Sequence, residues 1–187
     1  MNSLTPMAQY EPERLLEVLA RHRVHVVLVA GSEHAAPGGD VLASVLEVLA
    51  ERSMENVRAL CAAFVELDAT LFIGDAVVGE RFRRVPAIVG RSWVWNITSS
   101  LGRINLSFLP PGDTGFSALL ARAKPVQLGQ ITVPAADLLG VIPFKALMRD
   151  RWVLPTLGQI GQWQDELEVA ERQQSASSDS SRTASSG

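Results

Sequence analysis

Residues 24–51 read "VHVVLVAGSEHAAPGGDVLASVLEVLAE", and the fold turns on the two ends of this stretch. Residues 24–30 are nearly continuous Val and Leu. A run this short and this β-branched predicts a strand buried on both faces. It stops abruptly at Gly31-Ser32, and Pro37-Gly38-Gly39-Asp40 then punctuates the chain. By composition alone the "VLASVLEVLAE" that follows could be a helix.

The flanks are plainer. Pro12 is placed for the first turn of a helix. Leu15, Val18, Leu19 and His22 recur at i, i+3, i+4, i+7, which predicts a helix over 12–22. Ser53 is a good N-cap for a helix to about residue 68. Its buried face is Val57, Leu60, Cys61 and Phe64, with Cys61 a small core hydrophobe. Over 92–98, Trp93, Trp95 and Ile97 fall on one side and Val94, Asn96 and Thr98 on the other. Over 103–108, Ile104, Leu106 and Phe108 alternate with Arg103, Asn105 and Ser107. The Ser-Ser-Leu-Gly between the two runs predicts a hairpin.

Further on, the pattern predicts a short helix over 114–123 and two short strands around Gly129. Helical segments follow from 134 and from about 143, where Pro143 breaks or opens one of them. A last helix spans about 156–171. From Ser175 the chain is Ser, Ala, Thr and Gly with scattered charge, which cannot bury apolar surface and predicts disorder. The expected organisation is a loose N-terminus over 1–10, one domain over 11–171 and a Ser-rich tail over 172–187. The expected class is α/β (α+β), a mixed β-sheet flanked by helices.

Bulk properties exclude some classes. The chain has 187 residues, 47% hydrophobic and 20% charged, ordinary for a globular protein. A net charge of −3 argues against a broad nucleic-acid footprint. No apolar stretch approaches the roughly 20 residues that span a bilayer, so no membrane partner is expected. No basic stretch followed by an apolar core opens the chain, so no signal peptide is expected. Cys61 is the single cysteine, so no internal disulfide can form, and a reducing cytoplasm is the expected compartment.

Gly31-Ser32 lacks the ending of a P-loop and the glycine pattern of a dinucleotide fold. It is not a nucleophile elbow either. Two readings stay open at this point: a plain tight turn, or backbone N–H groups that hold a phosphate at a helix N-terminus.

Four pieces, taken in order, carry a resemblance. They are "EPERLLEVLARHRVHVVLVAGS", "ERSMENVRALCAAFVELDATL", "GRINLSFLPPGDTGFSALLARAKPVQLGQITVPAADLL" and "PFKALMRDRWVLPTL". Their order and spacing over about residues 12–157 resemble the nucleotidyltransferase-fold proteins of bacteria, in particular the small abortive-infection toxin group. The resemblance implies a nucleotidyltransferase-like sheet and makes 45–49 a strand. It implies an NTP and Mg²⁺ as cofactors, and a toxin–antitoxin or phage-defence setting.

That chemistry clamps the attacking and leaving oxygens between two divalent cations, which take hard oxygen ligands. The family supplies an Asp-x-Asp on one strand, both residues on one face, and a third carboxylate on a neighbouring strand. Matched to the family, the pair falls on Val45-Leu46-Glu47 and the third position on Asn105. One residue of register between Gly39 and Glu47 is open, so Leu46 is an alternative first position. Three charged ligands have become one, and a lone carboxylate is a poor holder of two cations. The implied site is Glu47 and Asn105 as the catalytic remnant, Glu47 as the metal ligand, and Gly31, Ser32 and Lys145 as nucleotide contacts. Arg103 and Ser107 share the polar side of Asn105. Asp40, Glu51, Asp68 and Asp75 are candidates for a relocated acid. His22, His25 and His34 show no metal-ligand spacing with Cys61 and read as structural.

Three functions follow from this. The first is a weak or inactive nucleotide-binding or regulatory module, a pseudoenzyme with room for a protein partner. The second is an active Mg²⁺-dependent nucleotidyltransferase acting on RNA, protein or a small molecule. The third is a protein-interaction domain without a ligand.

Overall fold

The computed structural model describes residues 10–30, 45–72, 79–109, 115–136 and 153–184. The chain divides into two units, Met1–Leu154 and Pro155–Gly187.

In the first unit, α1 (Pro12–Arg21) starts with Pro at its first turn and buries Leu15, Leu16, Val18 and Leu19. Strand β1 (Val26–Ala30) follows. Val45–Glu51 is a strand, β2, as expected over 45–49, although composition alone would also allow a helix. β-Branched residues and burial on both faces decide this: Leu46, Val48 and Ala50 are fully buried on one face and Leu49 on the other. Helix α2 (Met54–Glu66) is capped by Ser53, whose hydroxyl accepts the Asn56 N–H. It buries the expected Val57, Leu60, Cys61 and Phe64.

The two-residue strand β3 (Thr70–Leu71) and the short α3 (Pro86–Val89) come next, neither marked by any pattern in the sequence. Strands β4 (Val94–Ser99) and β5 (Gly102–Leu109) form the expected hairpin. Its turn needs Gly102, which sits at φ +120, a region closed to side-chain-bearing residues. The Ser99 hydroxyl donates to the Gly102 carbonyl and accepts the Leu101 N–H. Helix α4 (Phe116–Arg122) leads to a second hairpin, β6 (Lys124–Leu128) and β7 (Ile131–Ala135). β7 extends through Pro134 and Ala135, where the sequence predicts the start of a helix. The expected helices further along fall within residues 137–152, outside the described residues.

The seven strands form one mixed sheet in the order β3-β4-β5-β2-β1-β7-β6. β2 lies between β5, to which it is parallel, and β1, to which it is antiparallel. The sheet's two faces differ. One carries Leu46, Val48, Trp95, Ile97, Ile104, Leu106 and Phe108, all buried. On this face Trp95 stacks on Phe82, its indole N–H donates to the Val89 carbonyl of α3, and α3 packs on α2. Among the described residues, the other face carries an apolar cluster at one end, where Phe116 and Leu119 of α4 close over Val27, Leu49 and Leu109.

Trp93 packs against that second cluster. It does not share a face with Trp95 as strict alternation predicts, because β4 begins only at Val94.

In the second unit, α5 (Leu157–Ala184) runs well past residue 171, where the sequence reading ends it, and through most of the Ser-rich stretch expected to be disordered. Thr156 and Gln159 bond reciprocally at its start, side chain to backbone N–H in each direction. No Pro or Gly interrupts residues 162–184. The hydroxyls of Ser175, Ser177 and Ser178 donate to carbonyls four residues back, so these serines are absorbed by the helix backbone. Among the described residues, no helix is long and apolar enough to cross a membrane.

Candidate functional site

Strand register assembles the candidate site. Three rows run in step across β4, β5 and β2: Thr98–Arg103–Val45, Asn96–Asn105–Glu47, and Val94–Ser107–Leu49. Residues paired in this way project from the same face, with strands about 4.8 Å apart. Glu47 and Asn105, distant in sequence, are therefore direct neighbours. β1 adds to the middle row. Its pairing with β2 slips between Leu28 and Ala30, which sets Ala30 opposite Glu47. Gly31, Ser32 and Lys145, the expected nucleotide contacts, lie outside the described residues, as do Asp40, Asp75 and His34.

The three rows have different surroundings. Ser107 and Leu49 are buried near the α4 cluster, so Ser107 does not line an open site. Glu47, Asn105, Asn96, Thr98 and Arg103 are half-buried. The Arg103 guanidinium lies 3.8 Å from the centre of the Phe72 ring, reaching across β4 toward β3. The Phe72 backbone N–H donates to the Asn96 carbonyl.

Asn56 shows how this protein uses a structural amide. Its side chain accepts from the His25 N–H and donates to the carbonyls of His25 and Glu51. Asn96 and Asn105 make no such side-chain bonds among the described residues, and neither does the Glu47 carboxylate.

The other candidates are accounted for elsewhere. Asp68 pairs with Arg84 at 2.7 Å, and this bond holds its carboxyl below the usual range. Glu51 lies 3.5 Å from the His25 ring and accepts from the Ser53 hydroxyl. The His22 ring bonds Glu66 at 2.6 Å, and Arg21 pairs with the same carboxylate. Burial pushes the Cys61 thiol up to about 12, so it is an unreactive core group. Among the described residues, no group of three or more His, Cys, Asp or Glu side chains is arranged to hold a metal ion.

A separate cavity of about 240 Å³, lined in part by Arg14, Arg21, Glu66 and Leu101, shares no residue with the rows. Its arginines are already paired, Arg14 with Glu11 and Arg21 with Glu66.

Sequence reasoning missed Asn96 and Phe72 as members of the site. The alternation at 94–98 already placed Asn96 on the polar side. Nothing local marks Phe72, because its place depends on β3 pairing with β4.

No protein-family model matches the chain, and neither a curated protein nor a solved structure does.

Proposed function

We propose that the chain is a nucleotide-binding, regulatory module of the nucleotidyltransferase type, in which metal-dependent transfer has been reduced or lost. The observation that carries this reading is the Glu47–Asn105 register on adjacent parallel strands. The positions expected to hold three carboxylates are then one acid, one amide and Val45. Asn105 can offer a carbonyl oxygen but no charge, and Val45 offers nothing. One carboxylate supplies too little charge for two Mg²⁺ ions between phosphates. An NTP remains the ligand class, and Glu47 with Asn105 would meet any ion that accompanies it.

Calorimetry with the four NTPs, with and without Mg²⁺, tests the reading. Binding that does not depend on Mg²⁺ is the expected result. Turnover in a labelled-NTP transfer assay, abolished by Glu47→Ala, would make the chain an active enzyme. No binding in either condition would leave an interaction domain without a ligand. Installing Asp at positions 45 and 105 should create Mg²⁺ affinity; if it does not, the site has been misplaced.

A further inference from the structure

We infer that Arg103, braced on Phe72, is the cation that seats the nucleotide's phosphate on this face, without a divalent metal. The inference rests on the nucleotide-binding reading above and names the group that makes such binding metal-independent.

Arg103 differs from the other arginines whose partners are defined. Arg14, Arg21 and Arg84 each bond a carboxylate. Arg52 donates to the Gly90 carbonyl and lies over the Trp93 ring. Among the described residues, Arg103 meets only the Phe72 ring, and no carboxylate neutralises it. A guanidinium flat on an aromatic ring is fixed in orientation while its in-plane N–H donors stay available. Those donors match the paired oxygens of a phosphate.

The rest of the strip suits the same ligand. Asn96, Asn105 and Glu47 lie side by side in the row next to that of Arg103. From β4 to β2 is two interstrand spacings, about 10 Å. With the Arg103 guanidinium carried over to Phe72, the face offers a cation at its β3 side, amides on β4 and β5, and an acceptor-only carboxylate on β2. A nucleotide presents the complement: phosphate, then neutral polar groups, then hydroxyl or amino donors.

The test is calorimetry of the full chain with ATP and with inorganic tripolyphosphate, both in EDTA. Wild type is expected to bind both. Arg103→Met should weaken both by about tenfold or more, the loss of charge-assisted hydrogen bonds. Glu47→Gln should weaken ATP but leave tripolyphosphate unchanged. Arg103→Lys, which keeps the charge without the planar fork, should fall between wild type and Arg103→Met; it also serves if Arg103→Met does not fold. ATP binding in EDTA that is unchanged in both Arg103 variants would overturn the assignment of Arg103 and leave nucleotide binding standing. Wild-type binding that appears only when Mg²⁺ is added would also overturn it. Failure of wild type to bind any nucleotide, with or without Mg²⁺, would remove both this assignment and the reading beneath it.

Discussion

The side chain of Asn56 bonds both the N–H and the C=O of His25, 31 residues away, at 2.7 and 3.0 Å. A third bond goes to the Glu51 carbonyl at 2.8 Å. Asn56 thereby ties the first turn of α2 to the start of β1 and the end of β2. It is 3% exposed, so truncation strands peptide groups away from water. Asn56→Ala should destabilise the protein by about 2–3 kcal/mol, read as a lower urea midpoint at unchanged slope. A loss below about 0.5 kcal/mol would mean that water replaces the amide.

Helices α1 and α2 end in the same way. After α1, Arg23 N–H bonds the Ala20 carbonyl and Val24 N–H bonds Leu19. After α2, Asp68 N–H bonds Val65 and Ala69 N–H bonds Phe64. This termination places a left-handed residue just past the helix, here Arg23 at φ 57 and Asp68 at φ 44. Arg gains nothing locally from that conformation, whereas Asp68 tolerates it and pairs with Arg84. Arg23→Gly should therefore stabilise by about 0.5–1 kcal/mol, a rise of about 1–4 °C in the thermal midpoint. Asp68→Gly should gain less, because it also loses Arg84.

Acid should weaken the fold through two carboxylates. Glu66 is held below its ordinary 4.5, first by the His22 hydrogen bond and then by Arg21. Asp68 is held below its ordinary 3.8, first by the Arg84 hydrogen bond and then by the Arg81 charge. A carboxylate lowered on folding stabilises the native state at pH values above its ordinary pKa. That contribution is lost as pH falls through the lowered folded value. Both groups are exposed, so each effect is small. Denaturant midpoints from pH 7 to pH 3 should show a decline below about pH 4.5. The decline should be shallower in the double variant Glu66→Gln, Asp68→Asn, which starts from a lower midpoint at neutral pH. Parallel curves for the variant and wild type would reject these two groups as contributors.

Gly79 tests the packing at the β3 end. A Cβ built there would lie 1.9 Å from the Thr70 hydroxyl oxygen and 2.6 Å from a Thr98 methyl. Glu80, its neighbour, bridges to Leu71 through two 2.8 Å backbone bonds. Gly79→Ala must push this segment off the sheet, at about 1–3 kcal/mol. Loss of amide protection at Leu71 ahead of the remaining core, seen by hydrogen exchange, is the expected signature.

Local patterns made much of the fold legible. Pro12, Ser53 and the Ser-Ser-Leu-Gly turn each act where the sequence places them. The "ERSMEN" segment that helped carry the resemblance has a structural explanation of its own. Arg52 bonds Gly90 and covers Trp93, Ser53 caps α2, and Asn56 joins three backbone groups. Long-range pairing was harder to read. The place of β5 between β4 and β2 is set by pairing over more than fifty residues, which no local period records. β3 is too short to alternate. The helix ends at Arg23 and Asp68 lack the glycine that usually marks them. Glu47 and Asn105 were identified by position along the chain. That they are neighbours, and that Asn96 and Phe72 extend their strip, required the sheet.

The strand order also bears on how the chain is made. β1 and β2 can pair once residue 51 has left the ribosome. β2's other edge has no partner until residues 102–109 follow. Through the intervening synthesis an apolar strand edge stands open, the kind of surface on which nascent chains associate wrongly. The arrival of β5 closes that edge and builds the polar strip in one event, so a nascent chain halted before residue 102 has neither.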